Sequence, residues 1–173
     1  IRNQSTFNDP SGLSYDSISH YLYVADRLNH SIRRVSVKDG RVETLCGSGK
    51  EGYLDGSFQD AMFQYPFDVE WNSSTEELYV SDSGNHVIRV VSMKERRVRT
   101  LCGTPQQSGY EDGTHNQSKF NKPYGLSLDT HSNYLYVTDH GNHVLRRVSL
   151  IGEVRVSTVC GSPKKEGVES LLN

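Results

Sequence analysis

No stretch of the 173 residues approaches the roughly 18 consecutive apolar residues that a membrane-spanning helix needs, so membrane insertion by a helix is not expected. Residues Ile1 to Asn8 are polar and lack the basic, apolar and small-residue order of a secretion signal. Tryptophan occurs once and phenylalanine five times against ten tyrosines, which disfavours a thick helical core and suits thin sheets with half-polar faces. An excess of either charge is also missing. Nineteen Lys and Arg stand against 21 Asp and Glu for a net charge of -2, so nothing draws the whole chain toward nucleic acid or anionic lipid. Ser-His-Asp and Cys-His constellations, a phosphate-binding loop and a paired metal motif are all absent at recognisable spacing, and the chain is not expected to be an enzyme.

What is present is a repeat. FNDPSGL begins at Phe7, FQYPFDV at Phe63 and FNKPYGL at Phe120, spacings of 56 residues (7 to 63) and 57 (63 to 120). LYVAD, LYVSD and LYVTD follow, ending at Asp26, Asp82 and Asp139. NHSIRRVS, NHVIRVVS and NHVLRRVS then start at Asn29, Asn85 and Asn142, and each copy closes on TLCGS, TLCGT or TVCGS around Cys46, Cys102 and Cys160. Period-2 alternation between turn residues predicts four strands per copy, in the middle one about 67–71, 77–81, 87–92 and 98–102. Gly84-Asn85 and Gly141-Asn142 are expected to supply positive φ after the second strand, and Asp39-Gly40 and Gly152 to turn the last hairpin. Second and third strands are apolar on both faces, as in a sheet sandwiched between like sheets. The fold class is therefore all-β, with three β-propeller blades spanning about 7–62, 63–119 and 120–173. Three blades do not close a ring. The expectation is half of a ring of about six, either an excerpt from a longer protein or a chain that self-associates to close it.

Pro then Gly-Leu, LYV-x-Asp, Asn-His and I-R-x-V in three registered copies resemble the NHL repeat, over about residues 7–161. The third residue of the triplet is Ser31, Val87 or Val144 in place of Leu. The loop at 49–56, and approximately that at 108–113, resembles the longer-loop members that join a propeller to other modules, while Ser170-Leu171 replaces its Asp-Gly in the last copy. The resemblance implies a propeller that binds proteins or, in some relatives, RNA; a distant lyase branch adds metal ligands to a similar scaffold.

Candidate chemistry is weighed against triplication, because a catalytic group would occur once. His30, His86 and His143 recur around the ring and are read as turn residues bonding local backbone, with no metal and no cofactor expected. Asp26, Asp82 and Asp139 precede Arg33, Arg89 and Arg146 by seven residues in every copy, a spacing read as structural pairing. Cys46, Cys102 and Cys160 are expected as buried, unbridged thiols. Unpaired cysteine suits a reducing compartment, while Asn-x-Ser sequons at Asn3, Asn29, Asn72 and Asn116 suit secretion, so localisation stays open. Lys94, Arg96, Arg97 and Arg99 on one hairpin, with Arg33-Arg34 and Arg146-Arg147, could meet phosphates, or form a solvated edge. Antiparallel connectivity gathers the long inter-blade loops and the second-to-third strand turns at one end. Residues there that vary between copies, Arg27, Ser83 and His140, together with Tyr53, Asp55, Tyr110 and Asp112, are the expected ligand-binding rim. The partner expected is a protein or peptide, with RNA as the alternative.

Overall fold

A computed structural model describes residues 6–163; the sequon at Asn3 and the Ser170-Leu171 loop lie outside the described residues. Fourteen strands follow in order: β1 (Pro10–Asp16), β2 (Tyr21–Asp26), β3 (Ser31–Ser36), β4 (Val42–Cys46), β5 (Gly56–Ser57), β6 (Pro66–Asn72) and β7 (Glu77–Asp82). They continue as β8 (Val87–Ser92), β9 (Arg97–Cys102), β10 (Gly113–Thr114), β11 (Pro123–Asp129), β12 (Tyr134–Asp139), β13 (Val144–Ser149) and β14 (Arg155–Gly161). All pairing within the three sheets is antiparallel, in the orders β1-β2-β3-β4, β6-β7-β8-β9-β5 and β11-β12-β13-β14-β10. The second and third sheets thus differ from the four-strand expectation. Part of the preceding loop lies along the outer strand, Gly56 opposite Val98 and Gly113 opposite Val156, and covers an edge that would otherwise be open.

Alternation along the strands assigns each side chain to one neighbour or the other. Leu78, Val80 and Val91 of the second blade pack with Tyr23, Ala25 and Ile32 of the first. Tyr79, Ile88 and Val90 face the other way, onto Phe120, Leu135 and Val137 of the third. All six residues of β8 are consequently buried, whereas its counterpart β13 alternates between buried and more open positions because no described blade lies beyond it. Each fully buried Val, Leu or Ile contributes about 1.5–3 kcal/mol, so most of the adhesion between blades comes from this layer.

The turn after each second strand corrects the expected chemistry. It is a single 3-10 turn (Arg27–Asn29, Ser83–Asn85, His140–Asn142), and the left-handed residue is the histidine that follows, with φ of 50°, 60° and 58° at His30, His86 and His143. Gly84 is required for room instead: a Cβ there would lie 2.5 Å from Gln64 Cγ. Its equivalent Gly141 is hemmed in by Asn121 in the same way.

Candidate ligand groove on the loop face

The polar positions common to all three repeats build the scaffold. Arg89, fully buried, donates to Asp82 Oδ2 at 2.7 Å, to Asp55 Oδ1 at 2.7 Å, and to the carbonyls of Leu54 and Met62. Its guanidinium carbon lies 4.9 Å from the Tyr53 ring centre and 5.1 Å from that of Phe63. Arg146 repeats the arrangement with Asp139, Asp112, the carbonyls of Glu111 and Lys119, and the rings of Tyr110 and Phe120. In the first blade Arg33 holds Asp26 at 2.9 Å and lies over Phe7. Burial pushes the Asp82 carboxyl up to about 6, against the pull of Arg89, Asn85 and the Gln64 N–H, which leaves it ionised at neutral pH.

Asn85 and His86 tie this frame to what lies on either side. Asn85 Nδ2 donates to Asp82 and to the Gly52 carbonyl of the preceding loop, both within 2.9 Å. His86 Nδ1 accepts the Lys122 N–H of the next blade at 3.0 Å, and His30 Nδ1 accepts that of Tyr65 at 3.3 Å. The expected bonding of these histidines to local backbone is thereby corrected: they latch one blade to the next. His143 is exposed.

Four of the seven expected rim residues belong to the same frame. Asp55 accepts from Thr100 N and Oγ1 as well as from Arg89, and the Tyr53 hydroxyl meets Thr100 Oγ1 at 2.7 Å. Asp112 and Tyr110 do the same with Thr158 and Arg146. The other three lie around the inner mouth of the loop face. Arg27 and Ser83 line a groove of about 350 Å³ with Gln64, Tyr65, Gly84, His86, Lys122 and Tyr124. His140 is exposed and stacks on Tyr124 at 4.3 Å, which stacks in turn on Phe67 at 4.0 Å.

Tyr65 and Lys122 of the groove escaped the sequence reading although the signal was available. Asp9, Tyr65 and Lys122 occupy one repeat position with φ of 57°, 49° and 52°, and they differ in all three copies, as Arg27, Ser83 and His140 do. Arg27 pairs with Asp9 and lies 5.8 Å above the Tyr65 ring. Glu51 accepts from Gln64 and from the Tyr65 hydroxyl.

A groove of about 430 Å³ at the opposite end, between the first two blades, is lined by residues that include Tyr23, Phe58, Trp71 and Met93. Arg34 pairs with Glu43, and Arg96 covers Phe58. On the inner strand Asp68 accepts Leu126 N–H at 2.8 Å and Glu70 accepts Leu128 N–H at 3.3 Å; burial raises both carboxyls. Cys46 and Cys102 are buried thiols pushed upward by burial, but Cys160 is exposed, contrary to expectation, on the outer strand of the third blade. Among the described residues no group of three or more His, Cys, Asp or Glu is gathered as a metal site would require.

No family model matches the chain. NHL repeat-containing protein 2 of Gallus gallus is 36% identical over 153 residues, covering 83% of this chain and 21% of that protein. Protein SUPPRESSOR OF QUENCHING 1, chloroplastic, of Arabidopsis thaliana is 30% identical over 149 residues, covering 84% and 14%. The chain thus spans about a fifth of these curated relatives or less. A solved structural genomics protein of unknown function from Bacteroides thetaiotaomicron shares the fold with a TM-score of 0.76 at 20% identity, over 91% of this chain and 38% of that one. With three registered Asn-His repeats, each turning between the second and third strands of its own antiparallel sheet, and these relatives alongside, the chain belongs to the NHL-repeat β-propeller family.

Proposed function

We propose that the chain is a non-catalytic binding module whose loop face holds a protein or peptide partner. The observation that carries this reading is the convergence of unlike residues on one groove. Positions common to all copies are engaged in the frame, whereas Arg27, Tyr65, Ser83, Lys122 and Tyr124, drawn from three blades, meet where the surface opens. Aromatic walls beside donors suit peptide recognition. An RNA reading draws less support, because the arginines it needs are dispersed: Arg99 pairs with Glu77, Arg34 with Glu43, and Arg147 covers Tyr134.

A phage-displayed random peptide library panned on the immobilised chain tests the reading. Enriched ligands should lose binding to a Tyr124→Ala/His140→Ala variant and keep it in Ile18→Ala, an exposed change in a turn at the other end. Ligands indifferent to the first variant, or no enrichment at all, would overturn the loop-face assignment.

A further inference from the structure

The groove is one-sided in its chemistry. Because His86 Nδ1 accepts a backbone N–H, the neutral ring carries its proton on Nε2, and burial together with nearby Lys122 lowers the imidazole pKa and keeps the ring neutral. Ser83 is only 5% exposed, lines the groove, and its hydroxyl has no hydrogen-bond partner among the described residues. Lys122 is exposed and has no ion-pair partner among the described residues. Arg27 is offset by Asp9, and Glu51 is engaged with Gln64 and Tyr65. Ser83, His86 and Lys122 thus line one groove with Tyr65 and Tyr124, and neither the hydroxyl, the Nε2–H nor the ammonium meets an acceptor among the described residues.

We propose that this groove reads an acidic residue of the partner peptide, seating an Asp or Glu side-chain carboxylate among Lys122, His86 Nε2–H and Ser83 with a neighbouring residue packed on Tyr124. The inference rests on the loop-face reading above and adds the chemical class of its ligand. Charge complementarity selects the occupant: a carboxylate supplies several acceptor sites and the negative charge that Lys122 lacks, which a neutral segment does not. Extended single-stranded RNA would instead need successive cations along a track, and the groove holds two, one of them already paired.

The same phage library, whose peptides have no free C-terminus, supplies the test. The enriched pool from the full chain should be richer in Asp and Glu than the input, and a synthetic copy of one winner should bind about tenfold more weakly when its acidic residue becomes Gln or Asn. Lys122→Ala should weaken that peptide by a similar factor, and Lys122→Glu should abolish enrichment of acidic sequences without changing the folded spectrum. Salt should weaken binding of the acidic peptide more than that of its amide variant. A pool of neutral sequences that still depends on Tyr124 would overturn the acidic inference and leave the loop-face module standing. No enrichment, or binding of oligouridine by fluorescence anisotropy with no acidic peptide bound, would overturn both.

Discussion

Two groups of side chains share the loop face, and they are used in opposite ways. Tyr53, Asp55, Tyr110 and Asp112 look like recognition residues, being aromatic and acidic on long loops, yet each is fastened to Arg89 or Arg146 and to Thr100 or Thr158. Arg27, Ser83, Tyr65 and Lys122 sit on tighter turns and border an open groove. A buried guanidinium needs several acceptors, and an arginine repeated in every blade recruits the loop that supplies them. Loop length and polarity are therefore poor guides to a free surface in a repeat protein. Difference between equivalent positions is the better one, because a residue that holds the blade together is needed every time.

The largest effect that would sharpen this contrast is expected at Arg89. Arg89→Leu leaves Asp82 buried with the Gln64 N–H and Asn85 as its remaining donors, and releases Asp55 and the two loop carbonyls. Breaking a buried pair by removing one partner costs about 3–5 kcal/mol, and the chemical denaturation midpoint should fall accordingly. Lys122→Ala, on the groove, should stay within about 0.5 kcal/mol by the same measurement. A comparable loss from both would erase the distinction between frame and groove. Next in size is Asp55→Asn. The Asp55 side chain is 42% exposed, so solvent screening reduces its pair with Arg89, and a loss of about 1 kcal/mol is expected, with little change in peptide binding. If that variant loses peptide binding at unchanged stability, Asp55 belongs to the recognition surface after all.

Much of the fold was legible because the physics repeats. The expected middle-copy strands lie within one residue of β6 to β9, and the doubly apolar strands are those buried on both faces. The Asp-to-Arg spacing of seven becomes an ion pair because antiparallel pairing of β7 and β8 places Val80 opposite Arg89, and the long side chain reaches back to Asp82 at the strand end. Other features depend on neighbours that no single repeat encodes. Histidine in the left-handed turn is explained by the next blade, whose N–H its Nδ1 accepts. The need for Gly84 comes from Gln64, twenty residues earlier (84 to 64), and not from φ. β5 and β10 are two-residue pairings set by the path of a loop along a sheet edge, and two residues carry no periodicity to read. The groove lies between blades, so its members were visible only as separate oddities of different copies.

The smallest expected effect concerns Asp68, which stands where the other copies have Gly12 and Gly125, and which ties the inner strand of the second blade to the third through Leu126. Burial is the largest influence on this carboxyl and raises its pKa above the ordinary 3.8, outweighing the N–H groups of Leu126 and Val69 that favour its charged form. The sign follows from linkage. A carboxyl whose folded pKa exceeds its unfolded value binds protons more tightly when folded, so its ionisation lowers stability as pH rises from the unfolded toward and through the folded value. Asp68→Asn keeps an acceptor for Leu126 N–H without the buried charge, and gives up the second oxygen that accepts the Val69 N–H. The variant should therefore be the more stable protein near neutral pH, and the gap should close as pH falls toward 3.8. Glu70 adds to the same trend, since its own carboxyl is raised by burial and by the charge on Asp68, which the substitution removes. Denaturation midpoints of the two proteins across that pH range decide the matter. A variant less stable than its parent at neutral pH would mean that the bonds from Leu126 and Val69 outweigh burial, and that a charged strut, not a tolerated one, joins the second and third blades.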